Sequence, residues 1–147
     1  MQNYRKGVMP QIRRLKFKAI LFGFLIDTIG TLSIAFAIIF AMGAAGIPVD
    51  EINARMRGFG GLMLMLIVGL ACTFIGGYVA GRMAGQAEIL HGAVVAGIGL
   101  VLGLFLREPD LPLWYEAVSF AAMAPIGIAG GYFAREGNAK RNLPGWS

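Results

Sequence analysis

Apolar residues along this chain gather into four long stretches, 17–45, 58–81, 89–106 and 113–134, joined by short polar segments. A helix needs about 20 apolar residues to cross the hydrocarbon core of a bilayer. The first, second and fourth stretches reach that length. The third is slightly shorter but has clean polar edges at Glu88 and Arg107. Open strands leave backbone groups unsatisfied in lipid, and the alternation of a membrane β-barrel is missing. The pattern predicts an all-α membrane protein: a single four-helix transmembrane domain over 1–147, with a basic lead at 1–16 and a tail at 135–147.

The joints refine this picture. Basic residues precede the first stretch and Ala44, Ala45 and Gly46 close it, a layout shared with cleaved signals. A signal's apolar core is only about 7–15 residues, however, so the stretch reads as a retained helix. Pro48 stands at a helix start with Asp50 and Glu51 in the first turn, which predicts a short helix up to Arg57. In the lead, Ile12, Leu15 and Phe17 interleave with cations over 11–18. That fits either an interfacial helix on anionic lipid or a basic collar on the first span.

Composition agrees with the pattern. Hydrophobic residues make up 57% and charged residues 14% of the chain, whereas soluble domains carry about 25% charged residues. The net charge of +5 comes from cations at the ends of apolar runs, as the positive-inside rule places them, and no nucleic-acid-binding motif accompanies them. Ten of the 13 cations fall on the side of the lead, Arg82 and the tail; only Arg55, Arg57 and Arg107 fall on the other. This split predicts both termini in the cytoplasm of a prokaryotic plasma (inner) membrane, with Trp114 and Tyr115 at the outer interface. Cys72 is the one cysteine, so no intrachain disulfide forms.

The two halves echo one another. Leu21, Gly23 and Ile29-Gly30 recur at the same spacing as Leu90, Gly92 and Ile98-Gly99, and Gly76-Gly77-Tyr78 recurs as Gly130-Gly131-Tyr132. Two tandem-related helical hairpins would result, both starting on the same side. Small residues also recur every fourth position: Gly69, Thr73, Gly77, Gly81 and Gly85; Gly99 and Gly103; Gly127 and Gly131; and Gly23, Asp27, Thr31 and Ala35. In lipid such faces let backbones approach closely. They suit packing within the chain, self-association or docking on a larger membrane complex.

Asp27 is the one acidic residue inside an apolar run. Counted from Ala19 it lies about 12 Å deep, close to the middle of the membrane. A carboxylate there is costly and faces the bundle or water. It is either a proton- or cation-binding group or a protonated side chain making an interhelical hydrogen bond. Thr73 matches it in depth, and Tyr78, though shallower, has a long side chain. His91, the only histidine, stands at the start of the third span, where Arg82 and Glu88 would complete a polar cluster at the cytoplasmic rim. Its role is a tether or cap, or a pH or headgroup sensor. One histidine and one distant cysteine are too few for a metal or haem, and no cofactor is expected. Ser33 and Ser119 lie away from His91, so no Ser-His-Asp arrangement forms. Pro125 falls mid-span and should kink the fourth helix.

The run GGYVAGRMAGQAEILHG, from Gly76 to Gly92, resembles that of a family of small four-helix prokaryotic membrane proteins. In that family Gly-Gly-Tyr-x-Ala-Gly-Arg ends the second helix and His-Gly opens the third. The resemblance covers one hairpin. It implies a fold, a location and a joint role for Tyr78, Arg82, His91 and Gly92, without an activity. The sequence thus leads to a non-enzymatic accessory or assembly subunit packing through glycine faces. The alternative is a homo-oligomeric transporter or channel that uses Asp27.

Overall fold

The computed structural model describes residues 15–141. They form five helices: α1, Phe17–Ala44; α2, Val49–Arg57; α3, Phe59–Ala84; α4, Glu88–Phe105; and α5, Leu113–Arg141. Apart from α2, each is long and apolar enough to cross a membrane. Side chains such as Phe36, Phe40, Ile67 and Phe105 stand exposed around the bundle. In water they would be buried; here they make a lipid-facing surface. Most of the basic lead, including Arg5, Lys6, Arg13 and Arg14, and with it half of the segment 11–18, lie outside the described residues.

Local chemistry sets the helix ends. After Ala44, Gly46 takes φ +79°, its N–H bonds to the Gly43 carbonyl and the Ile47 N–H to that of Met42. These two bonds satisfy carbonyls that the helix end would leave open. Pro48 then precedes α2, whose first turn carries Asp50 and Glu51 and whose last carries Arg55 and Arg57, matching its dipole. Gly85 closes α3 in the left-handed region, with its N–H on the Gly81 carbonyl.

Helix α3 packs against every other helix, and α4 packs on α1, α3 and α5. Helices α1 and α5 do not pack on each other among the described residues. The crossings are built from glycine. A Cβ added at Gly23 would lie 2.5 Å from the Gly76 carbonyl oxygen, and one at Gly77 2.6 Å from that of Gly127. A Cβ at Gly92 would run into the Gly127 carbonyl, and one at Gly131 would lie 2.5 Å from the Glu88 carbonyl oxygen. At such short range many weak dispersion contacts add up, which is what holds helices together in lipid. Gly23 and Gly92, matched in the echo, both sit at the crossing of their own hairpin. Gly92 meets Gly127, however, three positions before Gly130, the match of Gly76. The second hairpin therefore crosses about one turn out of step with the first.

Two expectations need correction. Gly69 and Gly85 belong to the four-residue ladder of α3, yet neither has a neighbour where its Cβ would be. Each four-residue step overshoots a full helical turn by about 40°, so a ladder of four steps rotates about 160° off its face. The residues that pack are Gly76, Gly77, Ala80 and Gly81, which follow the true helical period. Gly99 and Gly103 make looser approaches, to Met123 and Phe120. The second correction concerns α5, which continues to Arg141 and turns the first part of the expected tail into helix. Charge at Arg135 and Glu136 ends the apolar run, but a helix entering water keeps its own hydrogen bonds.

Candidate functional site

Asp27 follows Gly23 by one turn on α1. The close approach of Gly23 and Gly76 brings the α1 and α3 backbones together, so a side chain as short as Asp reaches across. The Thr73 hydroxyl donates to its carboxylate, 3.1 Å from Oδ1 and 3.3 Å from Oδ2. Both residues are buried, Asp27 at 7% and Thr73 at 2% exposure. Opposite them on α4 stands Gly99, whose missing Cβ would lie 3.7 Å from Asp27 Oδ2 and 3.5 Å from Met123 Sδ. Tyr78 is not brought to this pair: it is half-buried, its backbone lies against Gly130 of α5, and it makes no hydrogen bond to Asp27 among the described residues. Pro125 lies on an exposed part of α5, a helix that does not pack on α1. Ala96, the α4 counterpart of Asp27 in the echo, is fully buried against Gly127. One hairpin places a methyl where the other places a carboxylate.

At the end of the bundle where α1 begins, the sequence points to Arg82, Glu88 and His91. The structure joins the first two through a residue the sequence reading passed over. Arg82 Nη1 donates to Asn138 Oδ1 at 2.7 Å, and Asn138 Nδ2 donates to Glu88 Oε1 at 3.1 Å. The same Nδ2 lies 3.5 Å from the Gly81 carbonyl. An amide with a donor and an acceptor thus links a cation on α3 to an anion on α4. A signal for Asn138 does exist. Gly127, Gly131, Ala134 and Asn138 follow a 4-3-4 spacing, one continuous stripe on α5. It shows only once α5 is extended past its charged residues.

His91 is fully buried and faces elsewhere. The backbone N–H of Lys16 donates to Nε2 at 3.0 Å. Because that N–H can only donate, Nε2 carries no proton and Nδ1 does. Nδ1 then donates to the Ala87 carbonyl at 2.9 Å. The neutral ring, with both nitrogens used, ties the residue before α1 to the residue before α4.

The opposite end is held by ion pairs. Arg107 Nε meets Glu116 Oε1 at 2.6 Å, with Glu116 buried. Arg57 lies 3.5 Å from Asp110 and 4.0 Å from Glu108, and Arg55 pairs with Glu51 at 2.6 Å. Trp114 packs against Phe59 with ring centroids 5.4 Å apart and planes tilted by 41°, bringing the starts of α5 and α3 together. Among the described residues no three His, Cys, Asp or Glu side chains converge as a metal site would need. The Ser119 hydroxyl donates to the Tyr115 carbonyl. The Asp27–Thr73 bond and the Arg82–Asn138–Glu88 chain therefore link helices, and Asp27 and Thr73 form the polar pair buried between α1 and α3. No protein-family profile, curated protein or solved structure matches the chain.

Proposed function

We propose that this chain is a non-enzymatic subunit of a prokaryotic plasma membrane, which assembles with itself or with a larger membrane complex along the outer half of α1. One observation carries the reading. The buried residues of α1 are Ala19, Ile20, Gly23 and Asp27, so nothing beyond Asp27 is buried. That stretch includes Thr28, Thr31 and Ser33, whose hydroxyls make no hydrogen bond to a described residue. A lone hydroxyl is costly in lipid, and a neighbouring helix supplies partners and close packing. A single cysteine at Ser33, in a chain with Cys72 replaced by Ala, tests this in native membranes. Oxidation should give a cross-linked dimer or a cross-link to one partner. A protein that stays monomeric and partnerless in detergent and bilayer discs overturns the reading.

Both termini are assigned to the cytoplasm. Arg55, Arg57 and Arg107 are each within reach of a carboxylate, whereas Lys16, Lys18, Arg82, Arg135 and Lys140 are in no ion pair among the described residues. Uncompensated cations at one end support that orientation. Asp110→Cys in the same cysteine-free chain should react with an impermeant reagent in intact cells, and Lys140→Cys only after lysis. The opposite pattern reverses the orientation.

A second reading, ion or proton transport through an oligomer, is favoured by one observation. Thr73 is the sole side-chain hydrogen-bond partner of Asp27 among the described residues, and Gly99 leaves space beside its carboxylate. Ion flux in vesicles that Asp27→Asn abolishes would support it. Absence of flux in the unaltered protein sinks it.

A further inference from the structure

Between the start of α4 and the last part of α5 lies an open cavity of about 500 Å³. Ala87, Glu88 and Arg135 line it at the end where α4 begins, and Leu90, Ala93 and Ile128 line it further in. Ala93 and Ile128 lie about 8–10 Å along their helices from Glu88 and Arg135. The groove is thus charged at the membrane surface and apolar at depth, and it runs parallel to the spanning helices. That profile belongs to a phospholipid standing beside the bundle.

Its charges narrow the class. Arg135 is exposed and in no ion pair among the described residues. Glu88 accepts one hydrogen bond, from Asn138, and forms no ion pair with Arg135 although both line the same cavity. Arg82 is already committed to Asn138. A purely anionic headgroup would meet Arg135 but be repelled by Glu88. A headgroup with one phosphate and one ammonium satisfies both. We propose that this groove binds a zwitterionic aminophospholipid, its phosphate on Arg135, its ammonium on the Glu88 carboxylate and one acyl chain lying past Ala93 and Ile128. The site lies within one chain and holds whether or not the protein assembles along α1.

The full chain, purified in detergent and delipidated, is titrated separately with phosphatidylethanolamine, phosphatidylcholine and phosphatidylglycerol and read by native mass spectrometry. Phosphatidylethanolamine should bind one per chain and more tightly than phosphatidylglycerol. Arg135→Gln should weaken it about tenfold, as expected for a lost charge-assisted hydrogen bond. Glu88→Gln should remove its advantage over phosphatidylcholine, which lacks ammonium N–H donors. Ala93→Leu should block the groove. Each variant is first shown to unfold at the temperature of the unaltered protein; Arg135, being exposed, is the safest of them. Phosphatidylglycerol binding as tightly as phosphatidylethanolamine overturns the proposal. So does the absence of any lipid adduct, or phosphatidylethanolamine binding unchanged in folded Arg135→Gln and Ala93→Leu.

Discussion

Thr73 and Asp27, 46 positions apart in sequence, share a buried hydrogen bond that joins α3 to α1. Hydrogen bonds between membrane helices average only about 0.6 kcal/mol and reach about 1.7 kcal/mol. Thr73→Val should cost about 1–2 kcal/mol, because Asp27 then loses its partner. Asp27→Leu combined with Thr73→Val should recover part of that loss. Unfolding in mixed micelles of mild and denaturing detergent measures the coupling; a value of zero would mean the bond contributes nothing.

Two glycines of α4 should respond in opposite ways to alanine. The new methyl of Gly92→Ala meets the Gly127 backbone, which has no side chain to move aside. Overpacking of this kind costs about 1–3 kcal/mol. In Gly99→Ala the methyl falls at ordinary distances from Met123 and Asp27, and better helix propensity should leave stability equal or higher. Melting temperatures of the pair decide the matter.

His91→Phe keeps a flat ring, somewhat larger than imidazole, and removes both nitrogens. The Lys16 amide then loses its partner, while the Ala87 carbonyl keeps the His91 backbone N–H, at a cost of about 1–3 kcal/mol if the amide stays buried. Hydrogen exchange should quicken at Lys16 and in the first turn of α1 but not in the outer half of α3. Uniform loss of protection along the chain would contradict a local tether.

Asn138→Asp places a second carboxylate against Glu88 while keeping an acceptor for Arg82. It should destabilise the fold, and adding Glu88→Gln should relieve the repulsion. A chain in which the second change deepens the loss would show that Asn138 does not bridge the two charges.

Cys72 is buried, and its sulfur lies 3.3 Å from where a Gly30 Cβ would be. Maleimide should leave it unmodified in the folded protein and label it on unfolding. The rate of labelling in detergent then reports on α1–α3 packing.

Hydropathy located the four spans to within one to three residues at most of their ends, because chain length and apolar content alone determine what can cross lipid. It lost the last seven residues of α5, where helix persists without apolar character. Matching depths in the membrane brought Thr73 to Asp27, since antiparallel neighbours place equal depths side by side. Direction was harder to read. Tyr78 and His91 have suitable positions along their helices, but among the described residues neither hydrogen-bonds the groups proposed for it. The four-residue ladder also misplaced Gly69 and Gly85, because small angular errors grow with every step.

The uneven anchoring of α1 has a mechanical consequence. Its first turns are clamped by His91 through Lys16, by Gly76 against Gly23 and by Thr73 on Asp27. From Thr28 to Ala44 no residue of it is buried among the described residues, although Cys72 of α3 still touches it at Gly30. The helix is a lever of about 25 Å pivoting on a fulcrum near Asp27, with the short α2 hinged to its far tip. A small tilt at the pivot becomes a displacement of several ångströms at Gly46, so whatever presses on that tip is felt as torque on the Asp27–Thr73 bond.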